Sequence, residues 1–178
     1  MFRRISILVI GVAFAAGADD AYAQVNAGLN EINGSAAVQG TKAEGSDTFT
    51  FATFTGAYGR FLTDGFEVGP QLSIVKAEGV DAVGTINGFA AVHLAPDSAI
   101  VPYVGAQIGR GFGQSTTFTD NPWTFGFFGG IKGFVGSSGA IVVQPFWTRS
   151  TVRNTAFDTT THTDNFGVSI GISLFFGQ

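Results

Sequence analysis

The stretch FGVSIGISLFF, residues 166–176, determines how the rest of this chain is interpreted. Its even positions are Phe, Val, Ile, Ile, Leu and Phe, whereas its odd positions up to residue 173 are only Gly and Ser. A repeat of two is that of a β-strand, in which successive side chains point to opposite faces. The stretch therefore predicts a long strand with one continuously apolar face and one face of small residues.

The same contrast recurs through most of the chain, and no stretch shows a sustained helical repeat of apolar residues. We predict an all-β fold, an eight-stranded antiparallel up-and-down barrel. The predicted strands cover residues 27–38, 47–63, 66–77, 84–94, 100–113, 123–136, 140–151 and 163–176. The first and the fourth have no cleanly apolar face.

Asp64-Gly65 is a strong signal for a two-residue hairpin, because a type I′ turn needs positive φ at both central residues. If these two residues form the whole loop, Phe61 pairs with Val68 on the apolar face. Arg60 then lies on the polar face. A second turn at 137–139 would pair Lys132 with Gln144, both of them polar.

The predicted connections alternate in length. Those at 64–65, 95–99 and 137–139 are short, whereas those at 39–46, 78–83, 114–122 and 152–162 are longer and more polar. An up-and-down barrel then has tight turns at one end and larger loops at the other. We expect the Thr-rich segment 152–162 to be a mobile loop. Pro70, Pro102 and Pro145 fall inside predicted strands, where each removes a ladder hydrogen bond, so we expect local bulges there or slightly misplaced strands.

Composition excludes several classes of protein. The 178 residues contain no cysteine, so a disulfide scaffold, a Cys-ligated zinc site and thiol catalysis are ruled out. A net charge of -4 argues against non-specific binding of nucleic acid. Only 12% of residues are charged, while 26 are glycine and 19 are phenylalanine. That low charge does not suit a disordered tail.

The first 23 residues have the features of an export signal. Arg3 and Arg4 form a positive n-region, an apolar stretch follows at 5–17, and Ala21-Tyr22-Ala23 offers a cleavage site before Gln24. We expect 1–23 to be a cleaved signal peptide and 24–178 to be one barrel domain. Ala16-Gly17-Ala18 is a second possible cleavage site.

Alternation shows two faces but not which one is outside. A soluble barrel turns its apolar face inward, and a membrane barrel turns it outward. The predicted strands are long enough for a tilted span of ~9–11 residues. The opposite face is rich in Gly and Ser, which suit a tightly filled small lumen, and aromatic residues cluster near strand ends. We therefore expect a transmembrane barrel in a bacterial outer membrane.

Two motifs then point to a known family. The segments VPYVGAQIG at 101–109 and YGRFLTDG at 58–65 resemble the outer membrane protein beta-barrel domain family, small eight-stranded barrels of the OmpX and OmpA transmembrane type. The resemblance covers essentially the whole of 24–178. It implies residence among outer-membrane lipid and lipopolysaccharide and insertion by the barrel-assembly machinery. Family members usually end in an aromatic residue, whereas here Phe176 is followed by Gly177 and Gln178.

Polar residues on the inner face are the candidate functional residues. They would either fill the lumen as paired side chains or line a narrow polar pathway, and we favour filling, because side chains fill eight-stranded barrels. The expected lumen network is Tyr58, Arg60, Glu67, Gln71, Tyr103, Gln107, Lys132 and Gln144.

No motif supports catalysis, a cofactor or a metal. His162, with Asp164 and Asn165, could belong to a triad, but it falls in a predicted polar loop with no evident serine partner. His93 is far from it in sequence, so the pair has no ligand spacing, and we expect His93 to lie at an interface or the lumen mouth.

We therefore expect a non-enzymatic, monomeric barrel with a structural or surface-interaction role through its outer loops and an external partner that is unknown. A narrow porin-like channel, a lipid-modifying enzyme and a soluble secreted ligand-binding barrel are the alternatives.

Overall fold

The computed structural model describes residues 25–43, 49–76, 83–113 and 120–177. The predicted signal peptide at 1–23 lies outside the described residues. Eight antiparallel strands form one closed barrel in chain order, which confirms the predicted fold. The strands are β1 (Asn30–Ala43), β2 (Phe49–Thr63), β3 (Phe66–Lys76), β4 (Val83–His93), β5 (Ile100–Phe112), β6 (Trp123–Phe134), β7 (Gly139–Asn154) and β8 (Thr159–Phe176). Among the described residues, no helix is long and apolar enough to cross a membrane.

The apolar face of the sheet points outward all around the barrel. In β8, Ile170 and Ile172 are 53% and 62% exposed, whereas Ser169 and Ser173 are 6% and 0% exposed. Every strand except β7 carries exposed large apolar residues on the outside, among them Phe54, Leu72, Ile86, Val104, Phe127 and Ile131. In β7 the corresponding residues Ile141, Val143 and Trp147 are half-buried. Water would penalise such a surface, but lipid favours it.

The two ends of the barrel differ. One end carries the connections at 64–65, 94–99 and 135–138, together with Val25 and Gly177. We call it the short-turn end, and the opposite end the long-loop end. Aromatic residues and arginines mark the outer face near the long-loop end. Phe125 and Trp147 meet edge to face, and the guanidinium groups of Arg110 and Arg149 lie over the rings of Trp123 and Trp147.

The aromatic residues Trp123, Phe125 and Trp147 form a band on the outer face that marks one boundary of the membrane. From Trp147 down to the start of β7 there are nine residues, and from Phe166 to the end of β8 there are eleven. Both numbers match a tilted span of ~9–11 residues. Arg149 and Asp164 form a two-point ion pair at 2.8 Å just beyond the band. They therefore lie at the interface with water rather than in the hydrocarbon.

The last hairpin differs from the expectation. The segment 152–162 was predicted as a mobile loop, but β7 and β8 remain paired up to Asn154 and Thr159, around the four-residue turn 155–158. Threonine is β-branched and favours strands, so a Thr-rich segment without an apolar face still extends a sheet. Beyond Arg149, β7 continues for five residues, about 17 Å at ~3.3 Å per residue. The hairpin therefore projects past the membrane band.

The first tight turn also differs from the expectation. Gly65 has φ +102°, but Asp64 does not have positive φ, so the turn is not type I′. A bulge between Phe61 and Thr63 shifts the register by one, and Phe61 pairs with Glu67 instead of Val68. Because side chains alternate, a one-residue shift turns the strand over. The predicted lumen positions of Tyr58 and Arg60 are therefore wrong: both side chains lie on the exposed outer face, and Phe61 fills the lumen.

The second turn has a different outcome. Lys132 pairs with Val142 rather than with Gln144, and positive φ falls on Gly136 instead of Gly139. This difference is two residues, which leaves every side chain on its predicted face.

The prolines cause no register shift. The ladder between β2 and β3 lacks paired rows at Pro70, and the ladder between β6 and β7 lacks them at Pro145, but the register is the same on both sides of each gap. Pro102 pairs in register with Ile131. The predicted bulges at these prolines are therefore wrong, because an interrupted ladder suffices for a residue with no N–H donor.

The facing assignment leads to a stability prediction. Ile170→Arg, on the lipid side, should lower the free energy of unfolding by about 2–4 kcal/mol, as for charges near the bilayer midplane. Ser169→Ala faces the lumen and removes one hydrogen bond to the Gln144 carbonyl, so about 1 kcal/mol is expected. Urea unfolding in lipid vesicles measures both. Equal losses at the two positions would contradict the facing.

Candidate functional site: the barrel lumen

The lumen is closed at the short-turn end by apolar side chains. Phe61 and Val25 are fully buried there, and Phe175 packs against Phe61 with ring centroids 6.4 Å apart. We call this layer the apolar plug, and its members are Val25, Leu29, Phe61, Phe134, Ala140 and Phe175. Val25 is held in place by its N–H, which donates to the carbonyl of Pro96 at 3.3 Å. The plug therefore includes the chain segment that precedes β1.

An ion cluster lies directly above the plug. The Lys132 ammonium donates to the carboxylate of Glu31 and, at 3.3 Å, to that of Glu67. The Nε2 atom of His93 lies 3.5 Å from the same Glu67 oxygen. The Ser173 hydroxyl donates to Glu31 at 2.6 Å. All five residues are at most 4% exposed, so these charges are buried and depend on one another for compensation.

Aromatic rings complete the surroundings of the ammonium. Lys132 Nζ lies 5.1 Å from the ring centre of Tyr103, 5.7 Å from that of Phe61 and 5.6 Å from that of Phe175. At these distances the ring faces attract a cation. The plug and the ion cluster therefore form one packed unit, because Phe61 and Phe175 belong to the first and contact the second.

The close fit extends to the backbone. Gly59 is buried beside Glu67, and a methyl group on Gly59 would collide with the Glu67 carboxylate. A residue with a side chain at this position would push the carboxylate away from Lys132.

Neutral polar pairs fill the middle of the lumen. Tyr103 donates from its hydroxyl to Gln144 at 2.7 Å, and Gln71 donates to Gln107 at 2.9 Å. The ring of Phe128 packs against Tyr103 with centroids 6.2 Å apart. A cavity of about 40 Å³ lies between the ion cluster and these pairs, one of about 110 Å³ adjoins the pairs, and one of about 210 Å³ lies toward the long-loop end. The cavity of about 110 Å³ has Ser, Thr, Asn and Gln among its lining residues, so it suits water.

Six of the eight expected lumen residues thus point inward. Lys132 and Glu67 contact each other directly, and four others form the two pairs just described. Tyr58 and Arg60 are not among them. Tyr58 instead donates from its hydroxyl to Asn30 at 2.7 Å on the outer face.

Two members of the site were missed from the sequence. Glu31 is not among the predicted lumen residues, although it alternates with Ile32 and shares its parity with Asn33 and Ser35. His93 was expected at an interface or the lumen mouth, but its side chain is buried in the ion cluster. His93 shares its parity in β4 with Asn87 and Ala91, and this parity could have indicated that its side chain points inward.

The cluster has the composition of a metal site but holds its own cation. Glu31, Glu67 and His93 place ligand atoms within 4.8 Å of one another. The ammonium of Lys132, however, already bridges the two carboxylates. A metal ion would have to displace a buried lysine from both partners, so we interpret the group as an internal ion cluster.

The histidine of the hypothetical triad lies elsewhere. His162 is exposed on the projecting hairpin, and its Nδ1 atom is 3.0 Å from the hydroxyl of Thr151. Both carboxylate oxygens of Asp164 are engaged by Arg149. The acid is therefore committed to an ion pair rather than to orienting His162.

The fold has clear counterparts among solved structures. The structure of Neisserial surface protein A aligns with a TM-score of 0.64 at 13% identity, over 83% of this chain and 98% of that one. The fold is that of a small outer-membrane β-barrel. The N-terminal barrel domain of OprF from Pseudomonas aeruginosa (TM-score 0.56, 14% identity, 84% and 98% covered) is similar too. So is Ail, the attachment invasion locus protein of Yersinia pestis (0.53, 12%, 84% and 99%). No family model and no curated protein sequence matches the chain.

The ion cluster leads to a second stability prediction. Lys132→Met leaves two buried carboxylates without their cation, so the free energy of unfolding should fall by about 3–5 kcal/mol. Adding Glu31→Gln to Lys132→Met should recover part of this loss, because one uncompensated charge is removed. Urea unfolding in lipid vesicles gives both values.

The exposed pair Arg153–Asp158, at 2.7 Å on the hairpin, is the control. Arg153→Gln should change stability by at most about 1 kcal/mol, as for other surface ion pairs. A Lys132→Met loss no larger than that of the control would mean that the cluster is not a coupled unit.

Proposed function

We propose that this protein is a non-catalytic outer-membrane barrel that acts at the cell surface through its long-loop end and does not serve as a pore. The observation that carries the proposal is the closure of the lumen at the short-turn end. A solute moving along the barrel axis meets the ion cluster and then a plug containing fully buried Phe61 and Val25. We further propose that residues 1–23 are the cleaved export signal and that the barrel-assembly machinery inserts the chain.

The ion cluster itself opposes transport. Passage would require Lys132 to leave both carboxylates, and each charge left alone in the narrow lumen would be costly. The neighbouring aromatic rings would have to move as well, since they contact the ammonium. A filled lumen of this kind stabilises the barrel, as expected for eight strands.

The projecting hairpin is the element best suited to a surface role. At its tip, Phe157 is 78% exposed, the highest value among the large apolar side chains of the described residues. The tip is held in shape because Arg153 pairs with Asp158 and the Asn154 side chain accepts from the N–H groups of Ala156 and Phe157. A rigid hairpin with an exposed aromatic residue is a suitable contact point for another protein, because aromatic anchors often dominate interfaces.

The absence of a pore is tested by planar-bilayer conductance of the refolded barrel. We expect the wild-type protein to remain at background, since the plug blocks the axis. The double variant Phe61→Ala/Phe175→Ala should raise conductance, because it removes the two largest contacts of the plug with Lys132. Phe127→Ala, on the lipid side, is the matched control and should leave conductance unchanged. Wild-type conductance at the level of the double variant would refute the proposal.

The surface role is tested with a laboratory Gram-negative strain that displays the protein. The measurement is the number of cells retained on surfaces coated with fibronectin, laminin or serum proteins. Display should increase retention on at least one surface, and Phe157→Ser should remove most of the increase. Ile172→Val, on the lipid-facing side of β8, is the control. Equal retention of the wild-type and Phe157→Ser strains on every surface would exclude the hairpin tip as the contact point.

A further inference from the structure

Among the described residues, a broad and shallow apolar groove on the lipid-facing surface lies over β1 and β2. Gly34 and Gly56 face each other across these strands, with Ile172 of β8 on one side and Leu72 of β3 on the other. In the next row Ala36 lies between Ile170 and Phe54. The resulting cavity measures about 810 Å³, and its walls are almost entirely apolar.

Nothing within the barrel requires these positions to be so small. A Cβ atom added to Gly34 or Gly56 would meet no atom within 4 Å, because both positions open outward. By contrast, Gly59 and Gly69 face inward, and a side chain at either would collide with its neighbours. The groove is therefore not a consequence of packing inside the lumen.

A cation lies two outward rows beyond this groove toward the short-turn end, past the row of Ile32 and Tyr58. The one-residue shift at the first hairpin places Arg60 on the outer face, in the row of Asn30 and Val68. Arg60 is exposed and makes no hydrogen bond or ion pair with the described residues. The Tyr58 hydroxyl and the Asn30 amide adjoin it on the same face. Guanidinium groups bind phosphates well, because their donors match two phosphate oxygens.

The distance from Arg60 to the far end of the groove fits one leaflet of a bilayer. Arg60 and Phe54 are six positions apart, which is about 20 Å along the strand at ~3.3 Å per residue. A tilt of ~45° projects this to about 14 Å, close to half of the ~30 Å hydrocarbon core. A phosphate on Arg60 would therefore lie at the interface, with its acyl chain reaching the middle of the membrane.

We propose that this groove is a binding site for a glycerophospholipid of the leaflet at the short-turn end. The phosphate binds Arg60, with Tyr58 and Asn30 beside it, and one acyl chain lies between Ile172 and Leu72 over the two glycines. An unpaired arginine two outward rows from an apolar groove fits an anionic headgroup whose apolar chain reaches into the groove. It fits a second barrel less well, because that barrel would bring another Arg60 into the same region.

Native mass spectrometry of the full-length exported protein, released from nanodiscs of dipalmitoyl phosphatidylglycerol and phosphatidylcholine, tests this site. The wild-type barrel should retain one phosphatidylglycerol molecule. Arg60→Gln and Gly56→Leu should each weaken retention about tenfold, and Arg60→Lys should weaken it less than Arg60→Gln does. Gly88→Leu is the matched control, because Gly88 also faces open space on the outside but lies between Pro70 and Ile108. It should retain lipid like the wild type.

Three results would overturn the proposal. Equal retention in the wild type, Arg60→Gln and Gly56→Leu would mean that only bulk lipid occupies the groove. Loss with Gly56→Leu but not with Arg60→Gln would exclude phosphate recognition. A dimer that dissociates in Gly56→Leu, with no lipid retained by the wild type, would assign the groove to a second copy of the chain.

Discussion

Closure of the sheet between β1 and β8 is the constraint on which the rest of this structure depends. In hydrocarbon no water is present to satisfy exposed N–H and C=O groups, so a sheet can cross a membrane only when it has no free edge. The two strands pair from Asn30–Phe176 to Ala43–Thr163. Closure separates an outer surface in lipid from a narrow interior, and the period of two then determines the chemistry of each side. Large apolar residues face lipid, and the interior takes the small and polar ones.

The narrow interior explains why charges are buried in so small a protein. Eight strands leave a space that side chains fill. Lys132 fills much of its layer, but burying its ammonium requires partners from across the barrel. Glu31 comes from β1, Glu67 from β3 and His93 from β4, so the cluster joins distant parts of the sheet to β6. The apolar plug below it excludes water from these ion pairs. The side chains that close the lumen are therefore the same ones that stabilise the barrel.

Much of this could be predicted from alternation alone, and the limits have a clear physical cause. The number of strands, their order and the face on which each side chain lies follow from the period of two. Six of the predicted lumen residues do point inward. Register does not follow, because a turn can add a residue without leaving a signal in the alternation. The shift at Phe61 turned Arg60 over to the outside, whereas the two-residue difference at Lys132 changed no face. Contacts such as Glu31 with Lys132, 101 residues apart in sequence, depend on barrel closure and have no local signature.

The weak pattern of β1 has the same explanation as the groove. Gly34 and Ala36 occupy outward positions of β1, so neither face of this strand looks continuously apolar in the sequence. Small residues at adjoining outward positions, Gly34, Ala36 and Gly56, leave a gap in the apolar belt of the barrel. Two outward rows nearer the short-turn end lies Arg60, the cation that the hairpin bulge turned outward. The two departures from simple alternation thus meet on one patch of the membrane surface. If the small residues had no role beyond leaving a gap in the apolar surface, no arginine would be needed near them. The gap and Arg60 lie on the same face of the barrel, and this is the reason to regard the patch as a binding site.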